Sequence, residues 1–183
     1  MSGRLRIIGG EWRSRFIAFD DAPGLRPTPA RVRETLFNWL QADVANSRCL
    51  DLFAGSGALG FEAASRGAKQ VVMVDNNPQT CGKLRENCAL LAAGRIEVVQ
   101  ADVRQFMERG DPAFDLIFLD PPFGRGLVEP ICRQLAEAGL LAAHGKIYIE
   151  TEPKLALPDL PGHWRQLKHK RAGEVAYSLY QGQ

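Results

Sequence analysis

Cys49-Leu50-Asp51-Leu52-Phe53-Ala54-Gly55-Ser56-Gly57-Ala58-Leu59-Gly60 is the stretch whose reading decides the fold. Cys49 to Leu52 is apolar and too short for a helix, so it reads as a buried strand. Three glycines spaced GxGxxG follow, where the backbone has to turn sharply and approach a neighbour or a ligand closely. A helix from Gly57 to Arg66 comes next, with Leu59, Ala63 and Ala64 inward.

The same alternation continues downstream. Val71–Val74 predicts a second strand and Pro78–Leu91 a helix. Ile96–Val99 predicts a third strand and Val103–Glu108 a short helix. Phe114–Leu119 predicts a fourth strand, and Leu127–Leu141 a helix with Ile131, Leu135 and Ala138 on one face. Gly145–Glu150 predicts a fifth strand. Strands this apolar on both faces belong inside a parallel sheet covered by helices, and alternating β and α elements give a doubly wound α/β fold. Trp164–Lys170 and Val175–Tyr180, around Ala172-Gly173, predict an antiparallel hairpin closing the sheet edge.

Upstream, Leu5–Ile8 and Ser14–Ile17 around Gly9-Gly10 predict a β-hairpin. Asp21–Pro29 is a turn-rich linker carrying Pro23, Pro27 and Pro29. Val32, Leu36, Phe37 and Leu40 recur at helical spacing, so an amphipathic helix is expected over Ala30–Ala42, with Thr28 as its N-cap and Pro29 at its first position. The whole is one domain: residues 1–45 as an N-terminal hairpin-and-helix extension, and 46–183 as a Rossmann-like core.

Composition sets the limits. A chain of 183 residues, 45% hydrophobic and 24% charged, builds one domain with a full core. Lys and Arg number 23 against 21 Asp and Glu, a net charge of +2. That balance excludes a purely electrostatic nucleic-acid binder, so any such contact belongs to a local patch. No apolar run reaches the roughly 20 residues that span a bilayer, and Met1–Gly10 lacks a signal-peptide core. A cytoplasmic protein without membrane contact is therefore expected. Cys49, Cys81, Cys88 and Cys132 form no CxxC pair and have no His at zinc spacing, so they read as reduced thiols with no metal. His144, His163 and His169 are isolated, and Trp39 and Trp164 read as packing residues.

In an open α/β sheet, ligands bind beyond the carboxyl ends of the strands. Four strands end there in an acid: Asp51, Asp75, Asp102 and Asp120. Gly55–Gly60 followed by Asp75 matches a dinucleotide fingerprint, with Asp75 as a ribose acceptor, yet the same glycines suit a tight turn without a ligand. Asp51 weakens the dinucleotide reading, since its carboxylate would repel a pyrophosphate. It suits a cofactor with a cationic centre and an amino-acid tail, whose ammonium it would help hold. Asp102 is placed to accept from an adenine amino group or to cap the following helix. Asp120-Pro121-Pro122-Phe123 is the more specific signal. Two prolines remove two amide donors and leave the Asp120 carboxylate and the Pro121 carbonyl as acceptors beside the flat face of Phe123. Such a site suits an exocyclic amine on a planar ring. Acceptors on both N–H groups draw the nitrogen toward tetrahedral geometry and free its lone pair for attack.

Together, Asp51–Gly60, Asp75, Asp102 and Asp120–Phe123 resemble the motifs of class I S-adenosylmethionine-dependent methyltransferases. The DPPF tetrapeptide resembles the subgroup acting on planar exocyclic or amide nitrogens. Arg4–Arg13 (RLRIIGGEWR), Leu25–Pro29 (LRPTP) and Arg31–Asn38 (RVRETLFN) are similar to the N-terminal signature of the bacterial RsmD family of 16S rRNA guanine-N2 methyltransferases. That resemblance implies a mostly parallel seven-stranded sheet with an antiparallel C-terminal hairpin. It implies S-adenosyl-L-methionine as cofactor, with Phe53, Ala54, Gly55, Ser56 and Gly57 around its methionine part. Asp51 lies beside them, Asp75 and Asn76 at ribose and adenine, and Asp102 and Val103 at adenine. Asp120, Pro121, Pro122 and Phe123 would hold the guanine, at a guanine-966-type site. The expected partner is 16S rRNA within the assembling small subunit, met by a monomer.

Transfer in line from the sulfonium to guanine N2 needs no covalent enzyme intermediate, and the target base has to be accessible. Arg4, Arg6, Arg13, Arg26, Thr28, Arg31 and Arg33 are the expected RNA contacts, with Arg15 near them and Trp12 and Phe16 placed to stack on bases. Arg165, Lys168, Lys170 and Arg171 form a second basic set. Rival readings are methylation of adenine N6 in DNA or of a protein glutamine amide, a nicotinamide-dependent oxidoreductase, and a catalytically silent RNA-binding module.

Overall fold

The computed structural model describes residues 2–155 and 160–183. In chain order the elements are β1 (Ser2–Arg6), β2 (Phe16–Asp20), α1 (Ala30–Trp39), β3 (Arg48–Asp51), α2 (Ala58–Ser65), β4 (Gln70–Asp75), α3 (Pro78–Leu91), β5 (Ile96–Gln100), α4 (Val103–Met107), β6 (Phe114–Leu119), α5 (Val128–Glu137), β7 (Leu141–Thr151), β8 (Arg165–Ala172) and β9 (Val175–Gln181). Seven strands form one sheet in the order β5-β4-β3-β6-β7-β9-β8, and β1 and β2 pair separately. The strands from β3 to β7 run parallel. β9 lies antiparallel between β7 and β8, which makes the expected C-terminal hairpin.

Strand order locates the site. From β3 the chain moves outward to β4 and β5, then returns to the other side of β3 as β6 and β7. The crevice at such a reversal opens above the carboxyl ends of the two central strands. β3 ends there at Asp51, and Asp120 directly follows β6.

Two apolar layers hold the sheet from either side. Cys49, Met73, Phe118 and Tyr148 pack with Leu36, Phe37 and Phe61 on one face. Leu50, Val72, Ile117 and Ile147 pack with Phe106, Ile131 and Leu135 on the other. Successive residues of each strand thus feed opposite cores, which explains why these strands read as continuously apolar.

Several boundaries differ from the sequence expectation. β1 and β2 lie nearer the ends of the hairpin, because Ile8 and Gly9 leave the ladder to donate their N–H groups to Glu62 on α2 (each 3.1 Å). Trp12 N–H donates likewise to Ser65 Oγ (2.9 Å), so α2 holds the connecting segment. α1 stops at Trp39, three residues short of Ala42, where Asp43 N–H turns back to the Leu40 carbonyl (2.8 Å). α5 spans only Val128–Glu137, and Gly139 (φ +64°) follows it in the left-handed region. β7 begins earlier than Gly145, since Leu141 already pairs with Phe114 ahead of an irregularity in the ladder.

Candidate active site

The glycine loop and the acids around it brace one another. Asp51 is 2% exposed, and its carboxyl accepts the Gly60 N–H (3.2 Å). Gly57 caps α2 at φ +82°, where a Cβ would also lie 2.6 Å from the Phe61 ring. Gly55 has φ +52°, and a Cβ on it would meet Leu25 Cδ1 at 2.8 Å. Leu25 belongs to the linker before α1, so the N-terminal segment lies over the glycine loop. Phe19 and Leu25 line a small cleft there with Gly55, Ser56 and Asn77.

Asp75, at the end of β4, accepts from Gly55 N–H and Asn77 N–H (3.0 Å each). One carboxylate thus ties two loops together, and each oxygen keeps a lone pair for a further donor. Asn77 caps α3, accepting from Gln79 N–H (2.9 Å) and Thr80 N–H (3.2 Å), which leaves Asn76 exposed at the rim. Asp102 caps α4 through Arg104 N–H (2.9 Å) and remains exposed, with Val103 buried behind it. Ala54 and Ser56 are buried in the loop, and Phe53 is half-buried at its start.

Asp120 has different company. Leu119 pairs with Ile149, so the next residues, Asp120 and Glu150, stand side by side on one face of the sheet. Their carboxyls come within hydrogen-bonding range of each other, and the Thr28 hydroxyl reaches Asp120 as well. Glu150 is 4% exposed and accepts from Tyr148 Oη (3.3 Å). Burial first, and then the Glu150 and Asp51 carboxyls, push Asp120 well above the carboxylate range. Burial also lifts Asp51 to about 7 against the Gly60 hydrogen bond, with Asp75 adding to the rise. Pro121 is buried, while Phe123 is 44% exposed and presents its ring at the rim. Beyond it, Gly124 N–H donates to the Glu152 carboxylate and anchors the turn to the end of β7.

The structure brings together Asp51, the glycine loop, Asp75 and Asp120–Phe123 along the expected rim. Glu150 and Tyr148 were missed from the sequence, although the signal was available. Glu150 stands next to last in β7, much as Asp51 and Asp75 end β3 and β4.

The basic residues divide. Arg4, Arg6, Arg13, Arg26 and Arg31 are exposed. Arg4 lies over the Phe16 ring (4.6 Å), and Arg6 donates to Ser14 Oγ (2.6 Å). Arg33 does not join them. It is 3% exposed and donates to the Thr28 carbonyl (3.1 Å) and the Arg6 carbonyl (2.9 Å), so it is a strut of the linker rather than a surface contact. Thr28 is likewise buried, and no side chain caps α1, whose N-cap is Pro29. The Thr28 hydroxyl meets Asp120 instead of facing solvent. Trp12 is buried beneath Arg95 (4.9 Å), which removes it from base stacking, whereas Phe16 is exposed. Arg165, Lys168, Lys170 and Arg171 are exposed along the edge strand β8. Trp39 packs on Tyr177 (5.4 Å) and Trp164 is buried, in keeping with packing roles. Among the described residues no helix is long and apolar enough to cross a membrane.

Comparison with known proteins places this site in a family. The family model described as Conserved hypothetical protein 95 matches residues 5–181. Ribosomal RNA small subunit methyltransferase D of Escherichia coli is 46% identical over 180 residues, covering 98% of this chain and 91% of its own. The protein of the same name from Haemophilus influenzae is 43% identical, covering 98% and 94%. A solved Escherichia coli structure described as a methyltransferase superposes with a TM-score of 0.93 at 42% identity, covering 99% of each chain. The likeness runs the length of both the acid-lined sheet and the arm laid over it, and on that ground the chain belongs to the RsmD family of methyltransferases, with their Rossmann-like class I fold.

Proposed function

We propose that this protein transfers a methyl group from S-adenosyl-L-methionine to the exocyclic N2 of a guanine in 16S rRNA, acting as a monomer on the assembling small ribosomal subunit. The observation that carries this reading is the acceptor-only turn Asp120–Phe123, standing beside an acid-lined glycine loop at the strand reversal.

The residues present fit the cofactor. Asp51 is a buried carboxyl with one backbone donor and no basic partner among the described residues, which suits a ligand ammonium. Asp75 keeps lone pairs for ribose hydroxyls, and Asn76, Asp102 and Val103 stand where an adenine edge would lie. The buried Asp51 carboxyl below the loop disfavours a diphosphate. When bound, the cofactor supplies an electrophilic methyl on a sulfonium.

The rest falls to the chain. Asp120 and the Pro121 carbonyl accept from the two N2–H groups, and the exposed Phe123 ring covers one face of the base. Held this way, the N2 lone pair points along the line of transfer. Alignment of this kind supplies much of the acceleration. The amine's surplus proton has Asp120 as its nearest acceptor. Arg4, Arg6, Arg13, Arg26 and Arg31 supply phosphate contacts around a flipped or loop nucleotide.

Incubation with labelled cofactor and small subunits from a strain lacking the enzyme tests the reading. N2-methylguanine at one 16S position is the expected product. Label appearing only in DNA or in protein glutamine would overturn it.

A further inference from the structure

We propose that Glu150 is a positioning residue for Asp120: the two carboxyls share one proton, which holds Asp120 in place as a hydrogen-bond acceptor facing the substrate amine. This inference rests on the methyl-transfer reading above and deepens it.

Two observations carry it. The β6–β7 register sets Asp120 beside Glu150 at hydrogen-bonding range. Two carboxylates cannot form a hydrogen bond without a proton between them. Glu150 is also fixed from behind, since it is 4% exposed and its Oε1 accepts from Tyr148 Oη (3.3 Å). Asp120 is the outer member of the pair, half-buried at the rim, so one of its oxygens can face the substrate amine while the other meets the shared proton. Asp51 favours retention of that proton, whereas the Tyr148 and Thr28 hydroxyls, which donate to the pair, favour the charged form. Tyr148 stands on the same strand and Asp51 on β3. Tyr177 on β9 pairs with Glu150, and Thr28 donates from the linker. Arg33 is occupied by the Thr28 and Arg6 carbonyls. Burial, like Asp51, raises Asp120.

The step balances. The N2 lone pair forms the new N–C bond as the C–S pair withdraws to sulfur. One N2 proton passes to Asp120, leaving both carboxyls protonated. Asp120 then releases a proton to solvent, and the pair returns to its single-proton state.

The first test needs neither cofactor nor RNA. Infrared spectra of D51N protein, which lacks the Asp51 carboxyl, are expected to show a protonated-carboxyl band at neutral pH. The band disappears in D51N/E150Q and in D51N/D120N. Kinetics form the second test. E150A is expected to lower kcat by about ten- to a hundredfold with KM little changed, and E150Q, whose amide still donates to Asp120, to restore most of that loss. E150Q also abolishes the decline in rate at alkaline pH that follows loss of the shared proton. Melting curves confirm that each variant is folded. A missing band, or E150A and E150Q with equal rates and an unchanged pH profile, overturns the inference. If wild-type protein methylates no rRNA while the band behaves as described, the fault lies with the proposed function and not with the carboxyl pair.

Discussion

Two stretches of the same acidic rim are held by opposite means. On the β4–β5 side, Asp75 and Asp102 are satisfied by backbone N–H groups, at 3.0 Å from Gly55 and Asn77 and at 2.9 Å from Arg104. On the β3–β6–β7 side, Asp51, Asp120 and Glu150 mainly face one another, with Gly60 N–H, Thr28 and Tyr148 as donors. Backbone donors favour the charged carboxylate and shape loops around it, whereas clustered and buried carboxyls favour a proton. The first arrangement suits a rigid cradle for hydroxyls and a neutral amino group. The second suits ligands that arrive with positive charge or with hydrogens to share.

The largest effect should come from Asp120. D120A is expected to lower turnover by about a thousandfold or more, while cofactor affinity measured by calorimetry stays within a few fold. A matching loss of cofactor affinity would erase the contrast between the two sides. Next stands D75A, which frees the N–H groups of Gly55 and Asn77. It should weaken cofactor binding and destabilise the fold by about 1–3 kcal/mol, as read from denaturant melts.

Arg33 and Arg31 extend the comparison to the arm. R33A leaves the Thr28 and Arg6 carbonyls without their donor in a buried place and should cost about 1–3 kcal/mol of stability. R31E should leave the melting temperature nearly unchanged while weakening RNA binding and reducing its salt slope by about one. The reverse pattern would return Arg33 to the surface set.

Asp51 sets the smallest expected shift. Burial raises its folded pKa to about 7, above the ordinary value of about 3.9, so the folded chain holds this proton more tightly than the unfolded chain. Its contribution to stability is complete below pH of about 4 and is lost as pH rises toward 7. D51N, neutral throughout, should show a flatter melting temperature over that range by about 5 °C. An identical slope in both proteins would mean that Asp51 is solvated.

Much of this was legible in the residues. The alternation from Cys49 to Glu150 fixed the parallel strands because both of their faces are covered, and the acids ending four strands located the rim. What stayed hidden depends on contacts between distant segments. Nothing local in Ile8–Trp12 announces that Glu62 and Ser65 will draw it out of the hairpin ladder. Arg33 reads like its neighbour Arg31 until the helix turns it inward. Thr28 looked like a cap because Ser and Thr before a helix commonly are, yet Asp120, ninety-two positions later in the chain, claims its hydroxyl. Glu150 was readable, had the rule applied to the first four strands been carried to the fifth.

Glu62 sits fully enclosed on α2, its carboxylate met by Ile8, Gly9 and the Arg66 side chain. Trimming the chain to begin near residue 46 would strip two of those donors and uncover the apolar face that Ile7, Trp12, Leu36 and Phe37 bury. The arm is therefore not a detachable adaptor. Any graft meant to redirect this scaffold to another RNA has to bring its own pair of amides for Glu62, or replace that glutamate with something that needs none.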